Sequence, residues 1–281
     1  LFTQGMVCHE TYKDPNNDWV SPDEIINVDG VKYLKKDKSM KVTVGASESM
    51  SKSKKNTIDP ENIISNYGAD AARLFILSDS PPEKDVQWSD TGVFSANKFL
   101  QKIWNLNQAI LKRDKKMKSD NKKKMFEEKI NLFIYKIDNA IKNFQFNVAI
   151  ANFYEAYRYF NDSINLEIST KSLSDNMVKL MKLMIPFTPY LAHECLTNLS
   201  CEDLNKWPKI DEKILERSTI NMVVQINGRT RDVLNIKQNL NETDINELIL
   251  KSSKANKYLE NAKIMKTIFI KNKIINYIIK N

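Results

Sequence analysis

A run of lysine and serine residues is the first place in the chain where chemistry could occur. Residues 49–56 read SMSKSKKN without helical or strand periodicity, so we predict a loop over 46–56. Ammonium groups on a loop that closes and excludes water can stabilise phosphate charge, because the attraction at about 4 Å rises from about 1 to about 4 kcal/mol as the effective dielectric constant falls to about 20. A solvated basic surface loop is the other interpretation.

Two further groups of basic residues could contact an anion. Residues 112–124, which we call the basic joint, contain eight Lys or Arg and two Asp, and are either a solvated loop or a contact to a phosphate backbone. Arg229 and Arg231 follow a predicted two-residue hairpin turn, Asn227-Gly228. The formal charge of the whole chain is +8, which favours a polyanionic partner such as nucleic acid.

Metal, disulfide and membrane chemistry find weaker support. The three cysteines form no CxxC pair, and the two His/Cys neighbours, at positions 8–9 and 193–195, lack further ligands at zinc spacing. We therefore expect no metal site and a reducing, cytoplasmic location. No window approaches 18 uncharged apolar residues, and the first ten residues lack the features of a signal peptide, so we expect no membrane association.

The elements that must position these residues change character along the chain. With 281 residues, about two domains are expected. Short strands are predicted over 6–48, with Asp29-Gly30 as a hairpin turn, and helical signals begin at residue 59. Amphipathic helices predicted at 89–113, 125–144, 148–165, about 177–184 and 188–196 describe a bundle. Strands at 220–226 and 229–236, a helix at 241–259 and strands at 264–270 and 273–279 complete a small ββαββ unit.

Several segments together resemble one enzyme family. Residues 49–53 resemble the KMSKS signature of class I aminoacyl-tRNA synthetases, and we call 49–56 the signature loop. NTIDP and YGADAAR, at 56–60 and 67–73, look like the helix pair that follows this signature in the branched-chain synthetases. SPPEKDVQWSDTGV at 80–93 resembles leucyl-tRNA synthetases in particular, and TQGMV at 3–7, PFTPYLAHE at 186–194 and VVQINGRTR at 223–231 are similar to further parts of that family, in family order.

The resemblance implies a mainly α fold with α+β ends, divided into three parts. Residues 1–58 are expected to form the end of a Rossmann-type catalytic domain, with a β insertion at 6–48 and the signature loop at 49–56. Residues 59–210 are expected to form a helical linker and an antiparallel anticodon-binding bundle. Residues 218–281 are expected to form a small C-terminal α/β domain that contacts tRNA.

The resemblance also implies an activity, which is the ATP-dependent activation of leucine and its transfer to tRNA-Leu, with Mg²⁺ accompanying ATP and the enzyme acting as a monomer. Lys52 is implied as the catalytic lysine that contacts ATP, and Met50, Ser51 and Ser53 as its neighbours in the ATP-binding loop. Ser49 replaces the first lysine of the signature, so Lys54 or Lys55 could supply its charge. The tRNA contacts that we predict are Lys112, Lys122, Lys123, Lys124, Arg229 and Arg231.

Other features make us expect a fragment. The HIGH-type signature of this enzyme class needs two closely spaced histidines, and His9 and His193 are too far apart to supply it. The leucine-binding and editing residues of the family are expected before Leu1, so we expect a C-terminal portion that is inactive without the N-terminal catalytic and editing region. The alternatives are a stand-alone tRNA-binding module without catalysis, or a related ligase for isoleucine, valine or methionine. The segment at 80–93 favours leucine.

Overall fold

In a computed structural model the chain forms two compact units, Leu1–Pro208 and Lys209–Asn281. The structure describes residues 3–113, 121–204, 206–211, 219–237, 240–260 and 262–280. The strands of the first unit are β1 (Val7–Lys13), β2 (Ile25–Val28), β3 (Val31–Leu34), β4 (Asp37–Lys41), β5 (Thr43–Ser49) and β6 (Val86–Gln87). Its described helices are α1 (Pro60–Tyr67), α2 (Ala69–Asp79), α3 (Asp90–Lys112), α4 (Lys123–Lys142), α5 (Phe146–Ser163), α6 (Thr170–Met184) and α7 (Pro189–Asn198).

The strands of the first unit form two sheets rather than the single β appendage predicted over 6–48. One sheet has the order β5-β1-β6, with β5 antiparallel and β6 parallel to β1. The other is the antiparallel sheet β2-β3-β4. The predicted boundary is wrong because local strand signals do not show that the two ends of the segment pair with each other. Only the middle of the segment forms the appendage.

The turn chemistry of the appendage agrees with its sequence. Asp29 and Gly30 have φ angles of 50° and 82°, and they connect the antiparallel strands β2 and β3 as predicted. The small core beneath this sheet consists of Tyr12, Val20, Leu34 and Val42. The appendage is thus packed against a residue of β1, the strand that also neighbours the signature loop.

The first helix begins and ends where its capping residues predict. The Asp59 side chain accepts the backbone N–H of Glu61 at 2.9 Å, and Pro60 takes the first helical position of α1. Gly68, with φ of 81°, separates α1 from α2. The bundle that follows buries the periodic apolar faces of α3 to α6, with Phe99, Phe126, Phe153, Phe160 and Leu180 among its core residues. The amphipathic helices predicted from periodicity are therefore present in the structure.

The second unit is a four-stranded sheet with one helix. Its elements are β7 (Thr219–Ile226), β8 (Arg229–Lys237), α8 (Glu242–Ser252), β9 (Lys263–Ile270) and β10 (Ile274–Lys280), and the strand order is β8-β7-β10-β9. The outer pairs are antiparallel and the central pair is parallel. Asn227 and Gly228, with φ of 50° and 76°, make the predicted turn between β7 and β8. A ββαββ unit of mixed pairing results.

Three predicted elements differ clearly in length from those in the structure, and one of them is the helix predicted at about 177–184, which begins at Thr170. The loop predicted over 46–56 is wrong for its first four residues, because 46–49 belong to β5, whose pairing with β1 outweighs their polar composition. The helix predicted over 241–259 is also too long. It ends at Ser252, because Ser253 is extended and its hydroxyl donates to Asp232 of β8 at 2.7 Å; a 3-10 turn, Asn256–Tyr258, follows.

Candidate functional site

The signature loop connects the end of β5 to the beginning of α1. Ser49 is the last residue of β5 and lies opposite Cys8 of β1. The backbone N–H of Met50 donates to the carbonyl oxygen of Val7 at 3.2 Å, so the pairing with β1 extends one residue beyond the strand. The chain then turns over 52–55. The four lysine and serine positions of this turn therefore stand immediately after a fixed strand.

A single buried side chain holds the base of the loop. Asn56 has no solvent exposure. Its Oδ1 accepts the backbone N–H of Ser51 at 2.8 Å, and its Nδ2 lies 3.2, 3.2 and 3.4 Å from the carbonyl oxygens of His9, Glu48 and Ser49. One amide thus links the loop's own backbone to β1 and to the end of β5.

The three lysines of the loop have different surroundings. Lys52 is exposed, and its ammonium has no hydrogen-bond or ion-pair partner among the residues that the structure describes. Lys54 forms an ion pair with Glu48. Lys55 has a φ angle of 52°, and its backbone N–H donates to the Lys52 carbonyl oxygen at 3.2 Å. Among the described residues, the Lys54 ammonium is thus paired, whereas those of Lys52 and Lys55 are both free to meet a ligand.

Two concave surfaces flank the loop. An apolar cavity of about 290 Å³ lies on one side, lined by Val7, Met50, Ile58, Ile63, Ala72 and Trp88 among others. A polar cavity of about 420 Å³ lies on the other side, where Ser53 and Lys55 face appendage and β1–β2 residues that include Asp14, Trp19 and Glu24. The Met50 side chain therefore anchors one side of the loop in apolar surroundings while the hydroxyl and ammonium groups face solvent.

The arrangement is suited to binding an anion. The hydroxyl oxygens of Ser51 and Ser53 are 3.3 Å apart, and either can donate to an added acceptor. Lys52 adds a positive charge. Its backbone is held in place, while its exposed side chain can move. No group of three or more His, Cys, Asp or Glu side chains that could hold a metal occurs in the described part of the chain. The described helices also include none that is both long and apolar enough to cross a membrane.

The described ends of the basic joint meet at one loop of the bundle; its residues 114–120 lie outside the described part. Arg113, after α3, donates to the carbonyl oxygens of Leu166 and Ile168 at 2.6 and 2.5 Å. The Lys122 backbone N–H, before α4, donates to the Glu167 carbonyl oxygen at 3.1 Å. Both described ends of the joint are therefore bonded to residues 166–168, and of its predicted contact residues Lys112, Lys122 and Lys124 are exposed and Lys123 is half-buried.

Arg229 and Arg231 lie in the first part of β8, and both are exposed. The Arg231 guanidinium lies over the ring of Tyr258 at 4.5 Å, and the Lys257 ammonium is 5.0 Å from the same ring. Such a cation–π contact orients the guanidinium while its donors stay open to solvent. The second unit therefore presents a cluster of positive charge around one aromatic ring.

Comparisons with known proteins agree with the order of these parts. The family model for class I tRNA synthetases of the I, L, M and V type matches residues 41–89, which contain the signature loop. The model for the anticodon-binding domain of tRNA ligase matches residues 123–247. Leucine–tRNA ligases of Rickettsia prowazekii and Prochlorococcus marinus are 38% and 37% identical to the chain over 99% of its length. The chain is similar to leucine–tRNA ligases over almost its entire length.

The similarity covers only part of those synthetases. The chain spans about a third of the length of the curated relatives that it matches, 34% and 33% for the two just named. A crystal structure of a LeuRS–tRNA–LeuAMS ternary complex, of Agrobacterium radiobacter K84 agnB2, has a TM-score of 0.63 and 24% identity. It covers 83% of this chain and 31% of that one, and it shows that the fold is shared.

Two residues that hold the signature loop, one inside it and one just before it, were not among the predicted site residues. Asn56 holds the loop's base, and Glu48 pairs with Lys54. Asn56 stood inside the motif, but its sequence context, a polar residue before a helix start, is typical of an exposed cap rather than a buried amide. Glu48 directly precedes the motif. An acidic residue so close to the lysines of the motif was the signal from which an ion pair could have been predicted.

Proposed function

We propose that this chain is a C-terminal portion of a leucine–tRNA ligase, which activates leucine with ATP and transfers it to tRNA-Leu. The observation that carries the proposal is the similarity to leucine–tRNA ligases over 99% of the chain, with the signature loop inside the class I synthetase match. The ligase matches favour leucine over isoleucine, valine or methionine. We also place the complete protein in the cytoplasm, where its three free cysteines would stay reduced, and expect a monomer.

The proposed chemistry gives the signature loop a defined role. In activation, a carboxylate oxygen of leucine bonds to the α-phosphorus of ATP, and the bond to the pyrophosphate oxygen breaks. Negative charge grows on phosphate oxygens in the transition state, and a lysine ammonium within about 4 Å stabilises it by about 4 kcal/mol once water is excluded. We assign this role to Lys52 and assign the support of the nucleotide to Met50, Ser51 and Ser53.

Magnesium would enter with the nucleotide. Mg²⁺ binds substrate phosphates and keeps several water ligands rather than needing a cage of protein carboxylates. The Ser51 and Ser53 hydroxyls and the Lys52 ammonium are donors suited to the phosphates that would carry this ion. Its chemistry would be to neutralise phosphate charge beside Lys52.

The isolated chain should not catalyse activation, because the HIGH-type signature and the leucine pocket are expected in the N-terminal region. The test is ATP–pyrophosphate exchange with leucine by this chain alone, by the N-terminal region of a related ligase alone, and by the two together. We expect exchange only in the mixture. Exchange by the 281-residue chain alone would contradict the proposed division of labour.

A second experiment addresses tRNA. The chain is incubated with total tRNA, and the retained molecules are sequenced. Enrichment of leucine isoacceptors is the expected result and supports the ligase. Strong but indifferent binding would favour the alternative, a tRNA-binding module without catalysis, or would place selectivity in the N-terminal region.

The proposed tRNA contacts predict a salt effect. Replacing Arg229 and Arg231 by Gln should reduce the slope of log affinity against log salt concentration by about 0.7 to 0.9 for each lost phosphate contact, because fewer counterions are released. The triple replacement of Lys112, Lys122 and Lys124 should do the same. Lys38→Gln, an exposed lysine of the appendage, is the matched control. An unchanged slope would show that the replaced residues do not contact tRNA phosphates and only make the surface more soluble.

A further inference from the structure

The side chain of Asn56 makes more hydrogen bonds than any other side chain around the signature loop. It is fully buried, and it lies where the loop returns to the sheet. Its Oδ1 accepts from the Ser51 N–H, while its two Nδ2 hydrogens are shared among the carbonyl oxygens of His9, Glu48 and Ser49. Buried amides that are fully bonded in this way specify one local geometry, because any shift leaves polar groups unpaired.

The chemistry of this site admits few other side chains. It needs one acceptor and two donors on a short stem, which an amide supplies and a carboxylate or hydroxyl does not. An aspartate of the same shape would keep the acceptor for Ser51 but would turn a second oxygen toward carbonyl oxygens. Alanine would remove every bond and leave the Ser51 N–H and the carbonyl groups without that partner.

The bonds of Asn56 enclose the turn that carries the lysine. Ser51 lies on one side of Lys52, and Asn56 itself ends the turn, so one side chain fixes both ends of residues 51–56. The Ser51 hydroxyl also lies 3.4 Å from the Lys54 backbone nitrogen. The Lys52 ammonium itself remains unpartnered within the described structure. The backbone below Lys52 is therefore held in place while its side chain stays available.

We propose that Asn56 is a positioning residue for Lys52, setting the backbone from which the ammonium reaches the phosphates of ATP. This inference rests on the proposed function of the loop, and it assigns to Asn56 no contact with substrate. Small displacements of catalytic groups reduce rates strongly, which is why a residue that only orients Lys52 affects the chemical step.

The first test needs no enzymatic activity. Site-resolved amide hydrogen exchange by NMR on the unmodified chain should show the Ser51 amide exchanging about tenfold or more slowly than the Lys52 amide, because only Ser51 donates to a buried oxygen. In Asn56→Ala the Ser51 protection should disappear, and Thr57→Ala, an exposed neighbour, should leave it unchanged. Equal exchange of Ser51 and Lys52 in the unmodified chain would overturn the proposal without any variant.

The second test is a double-mutant cycle in the ligase completed with its N-terminal region. Asn56→Asp should lower kcat for ATP–pyrophosphate exchange about tenfold or more, with KM for leucine within about twofold. In a Lys52→Ala background the same replacement should cost less than about threefold, because a residue that acts through Lys52 has nothing left to position.

The outcomes separate the two proposals. If the losses in kcat from the two replacements are additive, the positioning role is overturned, even when the Ser51 amide is protected from hydrogen exchange as expected. If the completed protein shows no ATP–pyrophosphate exchange, the proposed function fails. The amide hydrogen-exchange result alone then decides whether Asn56 holds the loop. Asn56→Asp carries both tests if Asn56→Ala does not fold.

Discussion

The signature loop and the helical bundle belong to the same unit but are held in different ways. The bundle has aromatic side chains with no exposure, such as Phe153, which meets Phe187 edge to face at 5.5 Å. The loop is held at its base mainly by hydrogen bonds to the amide of Asn56, and its Lys52 and Lys55 side chains are exposed. Many apolar residues contribute to the stability of the bundle, whereas the conformation of the loop depends mainly on one residue, Asn56. Stability and chemistry should therefore respond to different substitutions.

The largest effect on stability is expected in the bundle. Phe153→Ala removes a fully buried ring and should lower the free energy of unfolding by about 3 to 5 kcal/mol, as is typical for such truncations. Urea denaturation followed by circular dichroism measures it. Tyr190→Ala is the control, since that side chain is 74% exposed and its loss should change stability by less than about 0.5 kcal/mol. A loss below about 1 kcal/mol for Phe153→Ala would show that packing does not dominate here.

The loop should show the opposite behaviour. In the ligase completed with its N-terminal region, Lys52→Ala should slow leucine activation by about 10²- to 10³-fold, the scale for removing one electrostatic donor to a transition state. Its free energy of unfolding should change by less than about 0.5 kcal/mol, because the side chain is exposed. Lys38→Ala provides an exposed lysine away from the loop as control. A rate change under about threefold would assign the role to another residue.

The same contrast explains what the sequence could predict. The bundle follows from apolar residues at three- and four-residue spacing, and the turns at Asp29-Gly30 and Asn227-Gly228 follow from local backbone chemistry. The extension of β5 to Ser49 and the early end of α8 depend on partners far along the chain, β1 in one case and Asp232 in the other. Local patterns do not encode such pairings.

The candidate site was predictable in part for the same reason. The motif itself indicated Lys52 and its neighbours, and the structure places them on one turn. The amide of Asn56 became visible only when β1, distant in sequence, supplied the His9 carbonyl oxygen as an acceptor. A loop that works through long-range hydrogen bonds thus hides its structural residues among ordinary polar ones.

In the second unit, Asp232 also fixes the backbone through side-chain hydrogen bonds, but it does so with a charged group. Its carboxylate accepts the Ser253 hydroxyl and the Lys254 backbone N–H at 2.7 and 2.8 Å, where α8 has just ended. The hydrogen bond from Ser253 lowers the pKa of this carboxyl below its usual range. Because the folded pKa is the lower one, the stabilisation is present above the unfolded pKa and is lost as pH falls through the folded pKa.

Replacing the charge alone tests this reasoning. Asp232→Asn should cost less than about 1 kcal/mol of stability at pH 7, because solvent screens this carboxylate, and the difference from the unmodified chain should shrink toward zero as the pH falls below about 4. Urea unfolding followed by NMR signals of Tyr277 reports on the second unit, whose core contains this ring. A difference that persists undiminished below about pH 3 would show that the loss comes from packing rather than from charge.

The smallest expected effect is an order of reactivity, and it compares the loop region with the bundle without any substitution. Cys8 of β1, opposite Ser49, and Cys195 of α7 are both buried, while Cys201 is half-buried. Burial raises the pKa of the Cys195 thiol to about 12, so almost no thiolate is present there at pH 8.

We expect the strand that carries Cys8 to open locally, whereas Cys195 should be exposed only when the bundle unfolds. Iodoacetamide should therefore label Cys201 first and Cys8 second. Cys195 should react about tenfold or more slowly than Cys8. Peptide mapping by mass spectrometry over a time course gives the order. Urea just below the unfolding transition should bring the Cys8 and Cys195 rates together, because global opening then dominates both. Labelling of Cys195 ahead of Cys8 in the absence of urea would mean that the bundle, and not the loop region, is the less stable part of this unit.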